Sequence, residues 1–376
     1  MRKRFFCVLL CLIAVFTMSG CGEKGKRIHL SDRTIVQGIA VDGDEEGYLI
    51  TVQTYKSTKE GEEPKYEFFT SRGSSVFEAM RNLTLTTGKR AFFADNQVII
   101  LGKQVLDNGL AQSIDYFIRD NEIRTNSSLL CTDGKASDIL TIESEGNMTP
   151  AQRIASIIEG GQYNAKTAKG ELMDIAARAR LIGQDAYIPF ATVLEENEKK
   201  ALQMSGVMYF DDEYPSGVLN EEETKGLLMI LNKASRSPYV VENDFGRFSF
   251  GLTQSSTKVE ASVKENIPHF SVQMKVQLNL ESIDQNRYAT LSLEELEALL
   301  KEQLSKQMCN MAKSAVDKAF FEGESDIFLF GLQLKKQCND DWKNLQKDWR
   351  SVMKKSVMDY SCEVHINRLG QEANPN

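Results

Sequence analysis

Phe270, Val272, Met274, Val276, Leu278 and Leu280 alternate without a break with Ser271, Gln273, Lys275, Gln277 and Asn279. A strand turns successive side chains to opposite faces, so this run has one apolar face to cover and one face in water. That period suits no helix, and it fixes a half-buried sheet in the last third of the chain. The covering element follows directly. Ser292 and Glu295 form an S-x-x-E helix start. Leu296, Leu299, Leu300, Leu304, Met308, Met311, Ala315 and Phe320 then lie along one side of the helix it opens. The strand spans about 35 Å and the helix about 37 Å, so their lengths match. A second helix around Trp342 to Met353 leads into a strand from Tyr360 to Ile366. The simplest arrangement is an antiparallel sheet with a long helix packed across it.

The front of the chain reads differently. Arg2, Lys3 and Arg4 precede an apolar block from Phe5 to Met18, and Ser19 and Gly20 stand directly before Cys21. A positive start, a short apolar stretch and small residues make a secretory signal. A cysteine at the cleavage point makes it a lipoprotein signal resembling the bacterial lipobox, with Met18 in place of the usual leucine. Fourteen apolar residues span only about 21 Å as a helix, short of a ~30 Å hydrocarbon core. Residues 1–20 are therefore expected to be removed and Cys21 to carry lipid outside the cytoplasm.

The chain that begins at Cys21 is too long for one ordinary core. Between Ile35 and Ile142, strand-like runs alternate with helical ones. Ile35 to Val41 and Tyr48 to Tyr55 flank turn formers and predict a hairpin. Ser75 with Glu78 starts a helix, Val98 to Leu101 is a short apolar strand, and Thr149-Pro150 starts another helix. The charged stretch Glu195 to Lys200 marks a boundary. Beyond it, Met204 to Phe210 reads as a strand and Asn220 caps a helix that starts Glu221-Glu222-Glu223. The reading is α+β: three mixed domains at 21–195, 196–256 and 257–376 after the signal.

Composition excludes some chemistry. The formal net charge is −8, and losing the signal makes it more negative. Nucleic acid, which needs a basic footprint, is not an expected partner. His29, His269 and His365 are the only histidines, and none stands in a metal or nucleophile motif. Gly160-Gly161 follows an apolar helix and reads as its stop rather than a phosphate cradle. Three consecutive helical carboxylates point about 100° apart, so Glu221 to Glu223 cannot converge on one ion. No metal, cofactor or catalytic residue is expected. Cys131, Cys309, Cys338 and Cys362 lack redox or metal spacing. Buried thiols are the default, with a Cys338–Cys362 disulfide open in an oxidising compartment. One polar cluster stands out, with Arg119 and Arg124 bracketing Asp120 and Glu122. It is either a solvated turn with ion pairs of about 0–1 kcal/mol each or an orienting network or partner contact.

Short motifs recur along the whole chain in a fixed order. They are Gly38-Ile39-Ala40-Val41-Asp42, Thr51-Val52-Gln53, Arg90 to Gln97 leading into Val98 to Gly102, Phe117 to Arg124, and Gly134 to Leu140. Further on come Ser205 to Met208, Gly217 to Leu219, Glu223 to Gly226, Trp342 to Trp349, and Arg368-Leu369-Gly370. In this order they resemble the Ger(x)C family, the lipoprotein C subunits of spore germinant receptors. That family usually has a histidine where Asp95 or Asn96 stands. The resemblance implies a three-domain α+β protein without known enzymatic activity, on the outer face of the spore inner membrane. It implies integral-membrane A and B type subunits as partners, with no small-molecule ligand expected on this chain. It also favours a required role for Arg119, Asp120, Glu122 and Arg124. The alternatives are a lipid-anchored solute-binding protein, whose two lobes would be alike, and a lipoprotein hydrolase, which the missing motifs disfavour.

Overall fold

Asp44 to Gly47 turn the first two apolar runs back on each other. The computed structural model describes residues 33–367 apart from 57–64, 145, 180, 197–198 and 285–290. Cys21, His29 and Arg368-Leu369-Gly370 thus lie outside the described residues. Strands β1 (Arg33–Asp44), β2 (Gly47–Lys56) and β3 (Lys65–Gly73) form an antiparallel meander. Helix α1 (Val76–Thr87) returns the chain to β4 (Arg90–Phe92) and β5 (Val98–Leu101), both parallel to β1. Helices α2 (Lys103–Leu106) and α3 (Leu110–Arg119) lead to β6 (Ser128–Cys131). Then α4 (Ala136–Leu140), α5 (Pro150–Gly160) and α6 (Leu172–Arg178) lead to β7 (Tyr187–Glu196). Strands β5, β6 and β7 are mutually parallel, and β8 (Lys199–Asp211) and β9 (Tyr214–Leu219) add antiparallel neighbours. Among the described residues this makes a nine-stranded sheet ordered β3-β2-β1-β5-β6-β7-β8-β9, with β4 beside β1.

The centre of that sheet is covered on both faces. Helices α1, α3 and α6 pack on one side, and α4 and α5 on the other. Val98, Ile99, Ile100 and Leu101 are accordingly all buried, which is why β5 reads as a continuous apolar run rather than an alternating one.

Helix α7 (Glu221–Ile230) leads into the second sheet, formed by β10 (Pro238–Asn243), β11 (Gly246–Lys264) and β12 (Ile267–Asp284). The chain continues through α8 (Leu293–Val316), α9 (Phe330–Gln337), α10 (Asn339–Leu345) and α11 (Trp349–Met353) to β13 (Val357–Ile366). The alternating run is the middle of β12: Phe270, Val272, Met274, Val276 and Leu278 are buried, while Lys275 and Gln277 are exposed. Leu296, Leu300, Leu304 and Met308 of α8 join them in one buried layer. The S-x-x-E start of α8 closes as a full capping box, with Ser292 Oγ accepting from Glu295 N–H and Glu295 Oε2 accepting from Ser292 N–H. At α1 the reciprocal half shifts by one residue, and Glu78 Oε2 accepts from Ser74 instead.

Two details of the second sheet and its helices differ from the sequence reading. Strands β10 to β12 are antiparallel, but β13 runs parallel to β12. The chain crosses over through the α8 layer between these two strands, and such a connection returns it in the same direction. Residues 342–353 form two short helices joined by a tight turn at Gln346–Asp348. Trp342 and Trp349 are both buried with ring centroids 5.2 Å apart. A straight helix would separate residues seven apart by about 10.5 Å along its axis, so the turn brings the rings together. In the pairing of β7 with β8, Glu195 stands opposite Lys200 and Glu196 opposite Lys199, and β8 and β9 continue the first sheet. The boundary placed at 256/257 falls inside β11, because the water-facing half of that long strand carries little apolar signal.

Close approach of α7 and α8 depends on Gly226, where a Cβ would run into the Met311 carbonyl and the Ala312 backbone of α8. Strand β11 outruns its neighbour β10, and side-chain amides cap the open edge. Asn232 pairs with both the N–H and the carbonyl of Thr257, and Gln337 binds Ala261 N–H and Val259 carbonyl. An uncapped edge of this length would template pairing with another chain.

Candidate functional site

The two sheets meet at a clasp of charged groups that are distant in sequence. Asp185 ends the loop between α6 and β7, Asp211 ends β8, and Arg350 lies in α11. Arg350 Nη1 donates to Asp185 Oδ2 at 2.6 Å and Nη2 to Oδ1 at 2.7 Å, a two-pronged pair. Its Nη2 lies 2.9 Å from Asp211 Oδ1, and Nη1 also meets the Glu324 carbonyl. Asp185 is buried, and its carboxylate also accepts from the backbone N–H of Asp326 (2.6 Å) and Asp212 (3.3 Å). In return Asp185 N–H donates to the Asp326 carbonyl at 3.0 Å.

Asp326 is fully buried behind this pair. Its carboxyl accepts from Phe330 N–H (2.9 Å) and Gly331 N–H (2.7 Å), the first free donors of α9. Burial pushes the Asp326 carboxyl up to about 7, although the Gly331 and Phe330 donors and Arg350 pull the other way. Burial likewise raises Asp211, opposed by Arg350. Gly183, at φ +83°, lets the loop lie directly on the Trp342 ring and Gly331. Outside the clasp, Leu181, Ile182, Asp348, Trp349 and Arg350 line an open cleft of about 560 Å³.

The raised carboxyl has a consequence with a definite sign. The native state holds a proton on Asp326 that the unfolded chain releases near pH 4. Its stabilising contribution is therefore full below about pH 4 and is lost as pH rises through about 7. Asp326→Asn should flatten the decline in melting temperature between pH 4 and pH 7. An unchanged slope in parallel melts of the two proteins would assign that pH dependence to other groups.

Arg119, Asp120, Glu122 and Arg124 do not converge on one point. Arg119 pairs with Asp115 one helical turn earlier at 2.8 Å. Asp120 accepts from Tyr116 hydroxyl and Glu122 N–H, both at 2.8 Å, and so shapes the turn after α3. Glu122 lies 2.9 Å from Arg90 and 3.9 Å from Arg33, at the first residues of β4 and β1. Arg124 lies 3.5 Å from Asp95. The cluster thus ties one turn to the start of the sheet.

Asp95 extends this network inward, accepting from Gln37 Nε2 at 2.8 Å. Gln37 Oε1 accepts from Thr149 hydroxyl at 3.1 Å, and Gln53 Oε1 from Ala151 N–H at 2.7 Å, both at the start of α5. Asp42 accepts from Ala136 and Ser137 N–H at 2.7 and 2.9 Å. Motif segments scattered over a hundred residues therefore meet along β1 and at the starts of α4 and α5 beside it.

Catalytic groupings are not what these contacts build. Glu221 pairs with Lys166, Glu222 with Lys225, and Glu223 with Lys318, so the three carboxylates point apart. His269 stands opposite Val357 and His365 opposite Gln277, well separated along the same strand pair. Cys131, Cys309, Cys338 and Cys362 are free thiols. Burial raises each of them, Cys362 to about 12, so thiolate is scarce near neutrality. Among the described residues no group of three His, Cys, Asp or Glu side chains is arranged to hold a metal. Among them, too, no helix is long and apolar enough to cross a membrane.

Sequence reading missed Asp185, Asp211, Asp326 and Arg350. Asp185 and Arg350 are 165 residues apart, and nothing local marks either as half of a pair. The nearest signal was the Trp342 to Trp349 motif, which ends next to Arg350.

Two family models match the chain. The spore germination protein N-terminal domain covers residues 26–193, and the spore germination B3/GerAC-like C-terminal domain covers residues 205–370. Spore germination protein B3 of Bacillus subtilis (strain 168) is 21% identical over 95% of this chain and 96% of its own length. Spore germination protein A3 of the same organism is 23% identical over 74% of this chain and 73% of its own. A crystal structure of the GerBC protein superposes with a TM-score of 0.60 at 18% identity, covering 88% of this chain and 97% of that one. That likeness establishes a shared fold.

Proposed function

Because this chain belongs to the Ger(x)C family of spore germination proteins, we propose that it is the lipid-anchored, non-enzymatic C subunit of a nutrient germinant receptor. Lipid on Cys21 holds it to the outer face of the spore inner membrane, where it assembles with integral-membrane A and B type subunits. The observation that carries this reading is the succession of the two germination-protein domains, in order, across nearly the whole chain. The interior supports a scaffold better than a catalyst: its buried polar groups are spent on joining elements, as in the Asp185–Arg350 clasp. Its role is to transmit or stabilise a conformational state of subunits that bind the nutrient. In that role Arg119, Asp120, Glu122 and Arg124 keep the start of the first sheet in register.

Lipidation can be tested on its own. Two or three acyl chains, at about 0.8 kcal/mol per buried CH₂, hold a protein stably, whereas one is marginal. Cys21→Ala should leave the chain unprocessed or released from the membrane fraction, and spores carrying it should respond poorly to the receptor's nutrients. Normal maturation and membrane retention of the variant would remove the lipid anchor from this account.

A further inference from the structure

Cys131 lies buried in the core of the first sheet, whereas Cys309, Cys338 and Cys362 pack around the core of the second. The Cys338 thiol donates to the Ala261 carbonyl at 3.5 Å. Ala261 stands opposite Phe270 and Phe270 opposite Met358, while Cys362 stands opposite Met274. The Cys338 sulfur is therefore displaced from Cys362 by about 13 Å along the sheet and about 10 Å across it. A disulfide needs Cα atoms within about 7 Å, so the Cys338–Cys362 pairing left open by the sequence does not suit this fold. Cys309 is placed differently. From α8, Ser305 Oγ donates to the Cys362 carbonyl at 2.7 Å, and Met308 Sδ lies 3.6 Å from Cys362 Sγ. Cys309 follows Met308 and stands one turn beyond Ser305, about 5–6 Å from it between Cβ atoms. Cys309 and Cys362 are both half-buried against the same core. Burial raises the Cys362 thiol most, and the charge that Cys309 would carry raises it further, a second sign that the two are neighbours.

We propose that Cys309 and Cys362 form a disulfide site, here in its reduced state, which closes by exchange with a small disulfide or a disulfide-bearing oxidoreductase. One thiolate attacks the oxidant's disulfide, which releases a thiol and leaves a mixed disulfide on the protein. The second thiolate attacks the bonded cysteine sulfur and releases the other thiol. The pair loses two electrons, the oxidant gains the same two, and the protons of Cys309 and Cys362 end on the released thiols. The bond ties α8 to β13, the edge strand of the second sheet, and closes a loop of about 50 residues. An oxidant of this kind belongs outside the cytoplasm, so encounter with it rests on the extracytoplasmic placement proposed above. The choice of partner rests on the fold alone.

The test uses the reduced chain from residue 22 onward, which holds these four cysteines and no others, so its outcome is separate from that of Cys21→Ala. The folded protein is incubated with oxidised glutathione at mildly alkaline pH, where the raised thiols ionise enough to exchange. It is then unfolded, alkylated and mapped by mass spectrometry without reductant. The expected result is alkylation of Cys131 and Cys338 alone, with the peptides of Cys309 and Cys362 joined. Oxidation should raise the melting temperature by at least about 5 °C, and reductant should reverse the rise. Cys309→Ser and Cys362→Ser should each lose the rise, and Cys338→Ser should keep it. Four alkylated thiols after oxidation, glutathione left on Cys309 or Cys362 without closure, or a joined pair that includes Cys338 would overturn the proposal.

Discussion

Met274→Asp should destabilise the protein by about 4–5 kcal/mol. Met274 lies at the middle of β12, 2% exposed, in the layer shared with Leu300, Leu304 and Met308 of α8. A carboxylate there has no partner among these apolar neighbours, so it is either charged without solvation or protonated at the cost of a raised pKa. Gln277→Asp, three positions along on the water side of the same strand, should cost less than about 0.5 kcal/mol. Urea denaturation of the two variants and the parent makes the comparison. Equal midpoints for both variants would mean that the β12 face is not buried against α8.

Arg350→Met should cost about 3 kcal/mol, the lower part of the range for breaking a buried pair, because the guanidinium is one-third exposed. Most of the loss comes from leaving Asp185 charged and buried without its counter-ion. Arg350→Lys should recover only part of it, since an ammonium cannot make the two-pronged contact with Asp185 while reaching Asp211 and Glu324. The double variant Asp185→Asn with Arg350→Met should be more stable than Arg350→Met alone. A double variant at least as unstable as the single one would show that packing of the Arg350 stem, not charge pairing, holds the sheets together. Since the clasp joins residues 185–211 to residues 324–350, weakening it should also loosen the second sheet before the first. Hydrogen exchange of β13 and α11 would register that order.

Legibility in the sequence followed the range of the interactions. The β12 run, the α8 stripe, the helix starts at Thr149, Asn220 and Ser292 and the first hairpin are local patterns, and each occupies its expected place. Direction and adjacency were not local. Whether β13 runs parallel to β12 depends on where the α8 layer delivers the chain, and no residue of β13 encodes that. The charged stretch Glu195 to Lys200, expected as a boundary, falls where β7 and β8 pair, and a polar stretch between paired strands has the composition of a linker. At the candidate site, Arg119 to Arg124 could be seen as a cluster, but not that Glu122 and Arg124 reach back to Arg90 and Asp95. The Asp185–Arg350 clasp could not be seen at all. A buried ion pair between ordinary-looking charged residues leaves no pattern until the fold brings them together.

The amide caps on β11 also bear on assembly. With Asn232 and Gln337 closing its edge, β11 is not available for strand addition by a partner. The cleft lined by Leu181, Ile182 and Trp349 lies directly over the clasp.

The central claim is that this chain is one subunit of a membrane receptor rather than an independent binder or enzyme. Affinity purification of the full-length protein from detergent-solubilised spore inner membranes, followed by mass spectrometry, addresses it most directly. The account requires two multi-span membrane proteins to co-purify in fixed proportion with the chain. Recovery of the chain alone, or together with a transporter permease and its ATPase, would contradict it.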